Sequence, residues 1–189
     1  MLRAPSAAIQ SPRRAPVEYV EIYEENFAFV WRNLRRLGVP EGAMDDAAQD
    51  VFVVVHRRLA DFEGRSSLRT WLFGIVLRVA RDHRRSAARF AATAEAAAER
   101  QALAPTPAEL VADKQALEIL ERILDGLDDE KRAVFVQVEL EQMSVSDVAA
   151  AQGLNVNTAH ARLRAAREEF ARAVVRLRAR DVDIRRKLG

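Results

Sequence analysis

The chain has 189 residues, 49% of them hydrophobic, and its 30 lysines and arginines nearly cancel 28 aspartates and glutamates, leaving a formal net charge of +2. That length suits one or two modest domains, and the apolar fraction is too high for a disordered chain. The absence of cysteine excludes disulfides and thiolate metal sites, while His56, His83 and His160 are too scattered for metal-ligand spacing. No segment resembles a Walker loop or a dinucleotide fingerprint, so no cofactor is expected. There is no transmembrane run, and the first sixteen residues lack the apolar core of a signal peptide; the expected location is the cytoplasm.

The first sixteen residues, rich in Pro, Ala, Ser and Arg, read as a mobile arm. From Val17, spacings of three and four (Val20, Tyr23, Phe27, Val30, Leu34, Leu37) predict a long amphipathic helix, ended by Gly38, Val39, Pro40 and Gly42. A second helix is predicted from about Met44 to Leu59, burying Met44, Ala47, Ala48, Val51, Val55 and Leu59. Its opposite stripe is Asp46, Gln49, Asp50, Val53 and Arg57. Asp45 and Asp46 also suit the positive end of a helix dipole, which is the plainer reading of those two acids.

Asp61 to Ser67 is a turn-rich loop, with Gly64 for reversal and Ser66 or Ser67 as N-cap of a third helix reaching about Arg85. Leu68, Leu72, Ile75, Val76 and Val79 form its predicted core face, and Trp71, Gly74, Arg78, Arg81, Asp82 and Arg85 a neighbouring stripe. A tryptophan leading a row of arginines can stack on an unpaired base while guanidiniums hold phosphates. The alternative is that Trp71 is a core residue. Pro105 and Pro107 break the Ala- and Glu-rich stretch from 87 to 113, predicting partial helix and then an extended tether. Leu117, Leu120, Leu124 and Leu127 then share a helical face. Asp128 or Asp129 can cap a further helix that turns Ala133, Val134, Val138 and Leu140 inward.

Met143 to Phe170 reads as two short helices joined by a turn. Ser144 is a plausible N-cap, Val145, Val148, Ala149 and Gln152 form a small inner face, and Gly153 supplies a left-handed turn. Asn155 or Asn157 can cap the next helix, with Val156, Ala159, Leu163, Ala166 and Phe170 inward. Its outer faces carry Asn157, Thr158, His160, Arg162, Arg164 and Arg167, the build of a helix that meets phosphates and major-groove base edges. An arginine-rich helix with a solvated outer face has the same pattern. The tail past Phe170 continues as a basic helix or frays.

Charge alternates in blocks. Residues 41 to 63 are acidic; residues 64 to 89 carry Arg65, Arg69, Arg78, Arg81, Arg84, Arg85 and Arg89 against Asp82; residues 90 to 130 hold ten carboxylates against three cations; and from 156 the chain is basic again. Two basic blocks separated by acidic ones imply two nucleic-acid contacts, with acidic faces left for a protein partner.

Together these motifs resemble a known family. The run DDAAQDVFVVVHRRLADFEGRSSLRTWLFGIVLRVARDHRR resembles region 2 of bacterial sigma factors of the extracytoplasmic-function (ECF) group. Leu127 to Glu168, with Ser144, Ala149, Gly153, Thr158, Arg162, Leu163, Ala166, Arg167 and Glu168, resembles region 4 of the same family. Ala48 departs from the usual Leu-Thr pair, and His160-Ala161 stands where Lys/Arg-Ser is common.

The resemblance implies an all-α fold of two small helical domains, region 2 at 17–89 and a region 4 helix-turn-helix at 115–178. They are joined by a linker at 90–114 that threads the polymerase's RNA exit region, with an arm at 1–16 and a basic tail at 179–189. It implies a non-enzymatic promoter-specificity subunit whose partners are core RNA polymerase (largest-subunit coiled coil and flap), promoter DNA and an anti-sigma factor. The exposed stripe Asp46, Gln49, Asp50 and Arg57 is assigned to the polymerase. Gly64, Arg65, Ser66, Ser67, Arg69, Trp71, Arg78, Arg81, Arg84 and Arg85 are assigned to the melted minus-ten element, and Asn157, Thr158, His160, Arg162, Arg164 and Arg167 to the minus-thirty-five duplex. A stand-alone helix-turn-helix regulator is the alternative, and it leaves residues 44 to 85 without a role. An enzyme working through Asp45 and Asp46 fits poorly, because adjacent helix residues diverge by about 100° and cannot clamp one substrate atom.

Overall fold

A computed structural model describes residues 18–93 and 108–188, with side-chain environments for 18–90 and 115–179. The arm expected at 1–16 and most of the expected linker lie outside the described residues. Among the described residues the chain is α-helical without strands: α1 Tyr19–Arg36, α2 Met44–Arg58, α3 Leu68–Thr93, α4 Ala108–Asp125, α5 Asp129–Phe135, α6 Val145–Gln152 and α7 Val156–Leu188.

The face that α1 buries differs from the predicted one. Val30, Leu34 and Leu37 are inside as expected, but Val20, Tyr23 and Phe27 are 58%, 41% and 37% exposed, and Ile22 and Phe29 take the inner positions. The reason is that α1 packs against both α2 and α3. Phe29 meets Phe73 of α3 edge-on at 6.4 Å, while Tyr23 and Phe27 sit on the α2 side against Phe52, at 4.6 and 6.1 Å, and stay half open. Asn26 and Asn33 are tolerated inside because their amides donate to the Ile22 and Phe29 carbonyls one turn back, at 3.0 and 2.9 Å.

At the end of α1, Gly38 takes φ +80° and the Val39 amide bonds the Leu34 carbonyl at 3.1 Å, a left-handed helix terminus. Arg132 of α5 lies so close that a Cβ at Gly38 would sit 2.2 Å from its guanidinium. The left-handed backbone is what favours glycine there, while the guanidinium is the far end of a flexible side chain.

In α2 the predicted core residues are buried apart from Leu59, which is partly so, and Phe52 joins them. The third helix runs to Thr93, past the expected end. It buries Phe73, Leu77 and Ala80 in addition to the predicted stripe, because α3 is central and contacted on more than one side. The core does not stop at the junction between the halves. Leu124, Leu127, Ala133, Phe135, Val136 and Ala166 belong to the same apolar cluster as Val30, Leu72 and Val76.

In the second half, α4 begins directly after Pro107, earlier than the tether expectation placed a helix. Asp128 caps α5, accepting from the Glu130 and Lys131 amides at 3.1 and 2.9 Å. Burial alone would raise the Asp128 carboxyl, but hydrogen bonds from the Lys131 side chain and amide outweigh it and hold it below the usual aspartate range. A carboxyl whose folded pKa is lowered stabilises the fold above its unfolded pKa, and that stabilisation is lost as pH falls through the lowered value. Asp128→Ala is accordingly expected to cost about 1 kcal/mol in urea unfolding at pH 7, a gap that narrows in acid.

The helix-turn-helix forms as the residues predict. Ser144 Oγ accepts from the Asp147 amide at 3.1 Å, Gly153 takes φ +65°, and Asn155 caps α7 through the Asn157 amide at 2.8 Å. Val134, Val148 and Leu163 close its small core. Buried Gln137 accepts from Gln152, tying α6 to the π turn Val136–Leu140 that follows α5. Val156, expected inside, is 44% exposed, since it opens α7 before the helix reaches that core. Past Phe170 the backbone stays helical to Leu188.

Candidate polymerase and nucleic-acid surfaces

The outer stripe of α2 is intact as a surface. Asp46, Gln49, Asp50 and Arg57 are all exposed, with Val53 37% exposed among them. Asp50 also reaches His83 of α3 at 2.8 Å, which fixes the acid's position.

The loop before α3 is shaped by its serines. Ser67 Oγ accepts from the Thr70 amide at 3.1 Å and lies 2.8 Å from the Thr70 hydroxyl, so Ser67 is the N-cap, and Gly64 at φ +71° makes the reversal ahead of it. Trp71 is half-buried, leaning on Phe62 at 5.2 Å. It is neither a fully enclosed core residue nor free of packing.

Beside Trp71 lies a groove of about 850 Å³, into which Arg65, Ser66, Gly74 and Arg78 open, together with Arg57 and Arg58 of α2. Its far wall is α6, through Asp147, Ala150 and Ala151. Arg58 was not singled out by periodicity; it is a groove residue only because α2 and α3 lie side by side.

The predicted minus-ten set is thus divided. Gly64, Arg65, Ser66 and Trp71 also surround a shallow concavity at the loop, while Arg85 is exposed one turn beyond Asp82. Arg81 is partly buried on the flank. Arg69 and Arg84 lie on the opposite side of α3. Arg69 sits over the Phe29 ring at 5.6 Å, and Arg84 donates to the Leu37 carbonyl at 3.3 Å and pairs with Asp129 at 2.5 Å.

On α7, Asn157, Thr158, His160 and Arg164 are exposed. The other two predicted residues are engaged within their own half, Arg162 with Glu130 at 2.5 Å and Arg167 with Glu139 at 2.6 Å. These pairs hold the guanidiniums beside the open face, not at its centre.

Two family models match this arrangement, sigma-70 region 2 over residues 22–90 and sigma-70 region 4 over residues 117–170. The RNA polymerase sigma factor CnrH of Cupriavidus metallidurans is 32% identical over 145 residues, covering 72% of this chain and 76% of its own. The chain belongs to the sigma-70 family. Within it the likeness extends to the ECF RNA polymerase sigma-E factor of Escherichia coli, 28% identical over 139 residues, 69% of this chain and 73% of that one. A solved structure of CnrH in complex with the cytosolic domain of CnrY superposes with a TM-score of 0.62 at 26% identity, over 82% of this chain and 86% of that chain. This sigma factor is of the ECF type: it binds core RNA polymerase and directs promoter-specific initiation. Among the described residues no helix is long and apolar enough to cross a membrane, and no cluster of His, Asp and Glu is arranged to hold a metal ion.

Proposed function

We propose that residues 17–89 bind the polymerase and capture the melted minus-ten strand, that 115–178 read the minus-thirty-five duplex, and that 90–114 tether the two within the polymerase in the cytoplasm. The observation that carries this division of labour is the Trp71 groove. A half-buried indole at the mouth of an arginine-lined groove, directly after a Gly-Ser loop, gains stacking from a base only when that base has left the duplex. The test is a promoter bubble with 2-aminopurine placed through its minus-ten segment. Stacking on Trp71 predicts quenching at one position on adding polymerase with the native chain and not with Trp71→Phe; uniform fluorescence across positions removes the assignment.

The α2 stripe docks on the coiled coil of the polymerase's largest subunit, and region 4 on its flap. Support comes from the exposure of all four stripe residues and from the fixed geometry of Asp50. Asp50→Lys replaces an attractive contact by a like-charge one and is expected to weaken core binding about tenfold while the helical spectrum is preserved. Unchanged affinity in a pull-down moves the interface elsewhere. An anti-sigma factor is the expected second protein partner, on the family resemblance and on the precedent of CnrH, which is seen bound to the cytosolic domain of CnrY.

A further inference from the structure

The first turns of α7 are braced on both flanks by the elements beneath them. Arg162 meets Glu130 of α5 at 2.5 Å, and Glu169 receives Lys131 of α5 at 2.6 Å. Arg167 donates through Nε at 2.9 Å and Nη2 at 2.6 Å to one carboxylate oxygen of Glu139, in the π turn. At about 100° per residue, Arg162 and Glu169 fall on one flank of α7 and Arg167 on the other. The buried Ala159, Leu163 and Ala166 lie between the flanks, and Asn157, His160 and Arg164 lie on the open side.

Packing alone sets the roll of this helix loosely. Of its three buried residues only Leu163 is large, so the face turned to α5 and α6 is shallow and offers little ridge to lock into a groove. The stack of Phe170 on Phe135, at 4.8 Å, holds α7 further along, past the residues that face DNA. Side chains reach about 5 to 6 Å from a helix axis, so a roll of roughly 10° carries their tips about 1 Å. That exceeds the spread of roughly 0.5 Å within which a hydrogen bond to a base edge keeps its strength.

We infer that Glu130 and Glu139 are positioning residues for promoter choice: holding Arg162 and Arg167 from opposite flanks, they set the roll of α7 and with it the base edges that Asn157 and Arg164 meet. This rests on the assignment of α7 to the minus-thirty-five duplex. Both acids belong to the elements beneath α7, not to its open face. Two carboxylates beside a phosphate backbone oppose binding to every sequence alike. Their removal therefore has two separable consequences, a uniform gain in affinity from the lost charge and a loss of discrimination from the freed roll. Ion pairs this exposed contribute little to stability, so the fold survives their loss.

The test uses holoenzyme assembled from core polymerase and the full chain, on promoter duplexes in which each base pair of the upstream block is changed singly. Glu130→Gln/Glu139→Gln removes both charges and keeps an oxygen to accept from each arginine; Glu130→Ala/Glu139→Ala removes charge and acceptor together. The glutamine pair is expected to bind all duplexes more tightly by a common factor of about two to five, with the native ratios between cognate and altered sequences kept. The alanine pair is expected to show the same common gain and a roughly tenfold smaller ratio at the positions that Arg164→Ala also relaxes. Native ratios in the alanine pair, at an unchanged melting temperature, overturn the brace and leave reading by α7 standing. Equal loss of discrimination in both pairs assigns the effect to the field of the carboxylates and overturns the positioning role. If the alanine pair melts below the native chain, Glu139→Ala alone carries the readout. A native holoenzyme that does not distinguish the altered duplexes overturns the assignment of α7 itself, and the brace with it.

Discussion

A Trp71→Ala holoenzyme will initiate poorly on an ordinary promoter and regain activity on one whose minus-ten segment is already unpaired. Extruding a base costs a few kcal/mol, and stacking on an aromatic ring returns about 1 to 3 kcal/mol, so the loss on closed templates is expected to be roughly five- to 150-fold. Trp71 is half-buried against Phe62, so its removal also disturbs packing. The paired templates separate the two effects. A packing defect lowers the melting temperature and depresses both templates alike; a melting defect spares the bubble.

The second large effect is expected on α7, where the structure distinguishes residues that the sequence placed together. Arg164 is exposed with Asn157, Thr158 and His160 and has no acidic partner among the described residues, so its guanidinium is available to a base edge. Arg164→Ala should cost about 1 to 3 kcal/mol on the cognate minus-thirty-five sequence and relax preference at one position. Arg167 is held by Glu139 at the flank of the face, and we assign it to a phosphate and not to a base edge. Arg167→Ala should weaken all sequences alike and flatten the salt dependence of binding by about one phosphate contact. If the two variants behave identically in a binding series over single-base promoter changes, the division of the α7 face is wrong.

Much of the fold is legible in residue patterns alone. The caps at Ser67, Ser144 and Gly153 and the inward residues of α2 follow from local rules, because a cap needs only its neighbours and a helix with one packed face shows a clean period. The errors fall where packing is two-sided. On α1 the aromatic run Tyr23, Phe27 looked like core because large apolar side chains mimic a buried stripe, whereas the more central face includes Asn26 and Asn33, whose polarity is hidden in bonds to their own helix.

The candidate site was legible as residue types and not as a shape. Arg69 and Arg84 belong to the same basic block as Arg78, yet about 100° per residue carries them to the far side of α3, where one rests on Phe29 and the other ties α3 to α5. Glu141 accepts from Arg32 and Arg36 of α1, positions more than a hundred residues away, which no local pattern reveals.

The most direct test of the account is run-off transcription with purified core polymerase, this chain and fragmented DNA of its own genome. The account predicts discrete start sites that appear only when both proteins are present, preceded by two shared sequence blocks at constant spacing, with Trp71→Ala selectively impaired on closed templates and Arg164→Ala shifting preference in the upstream block. Tight duplex binding by the chain alone, with no start site that depends on it when polymerase is added, would contradict it and favour a stand-alone helix-turn-helix regulator.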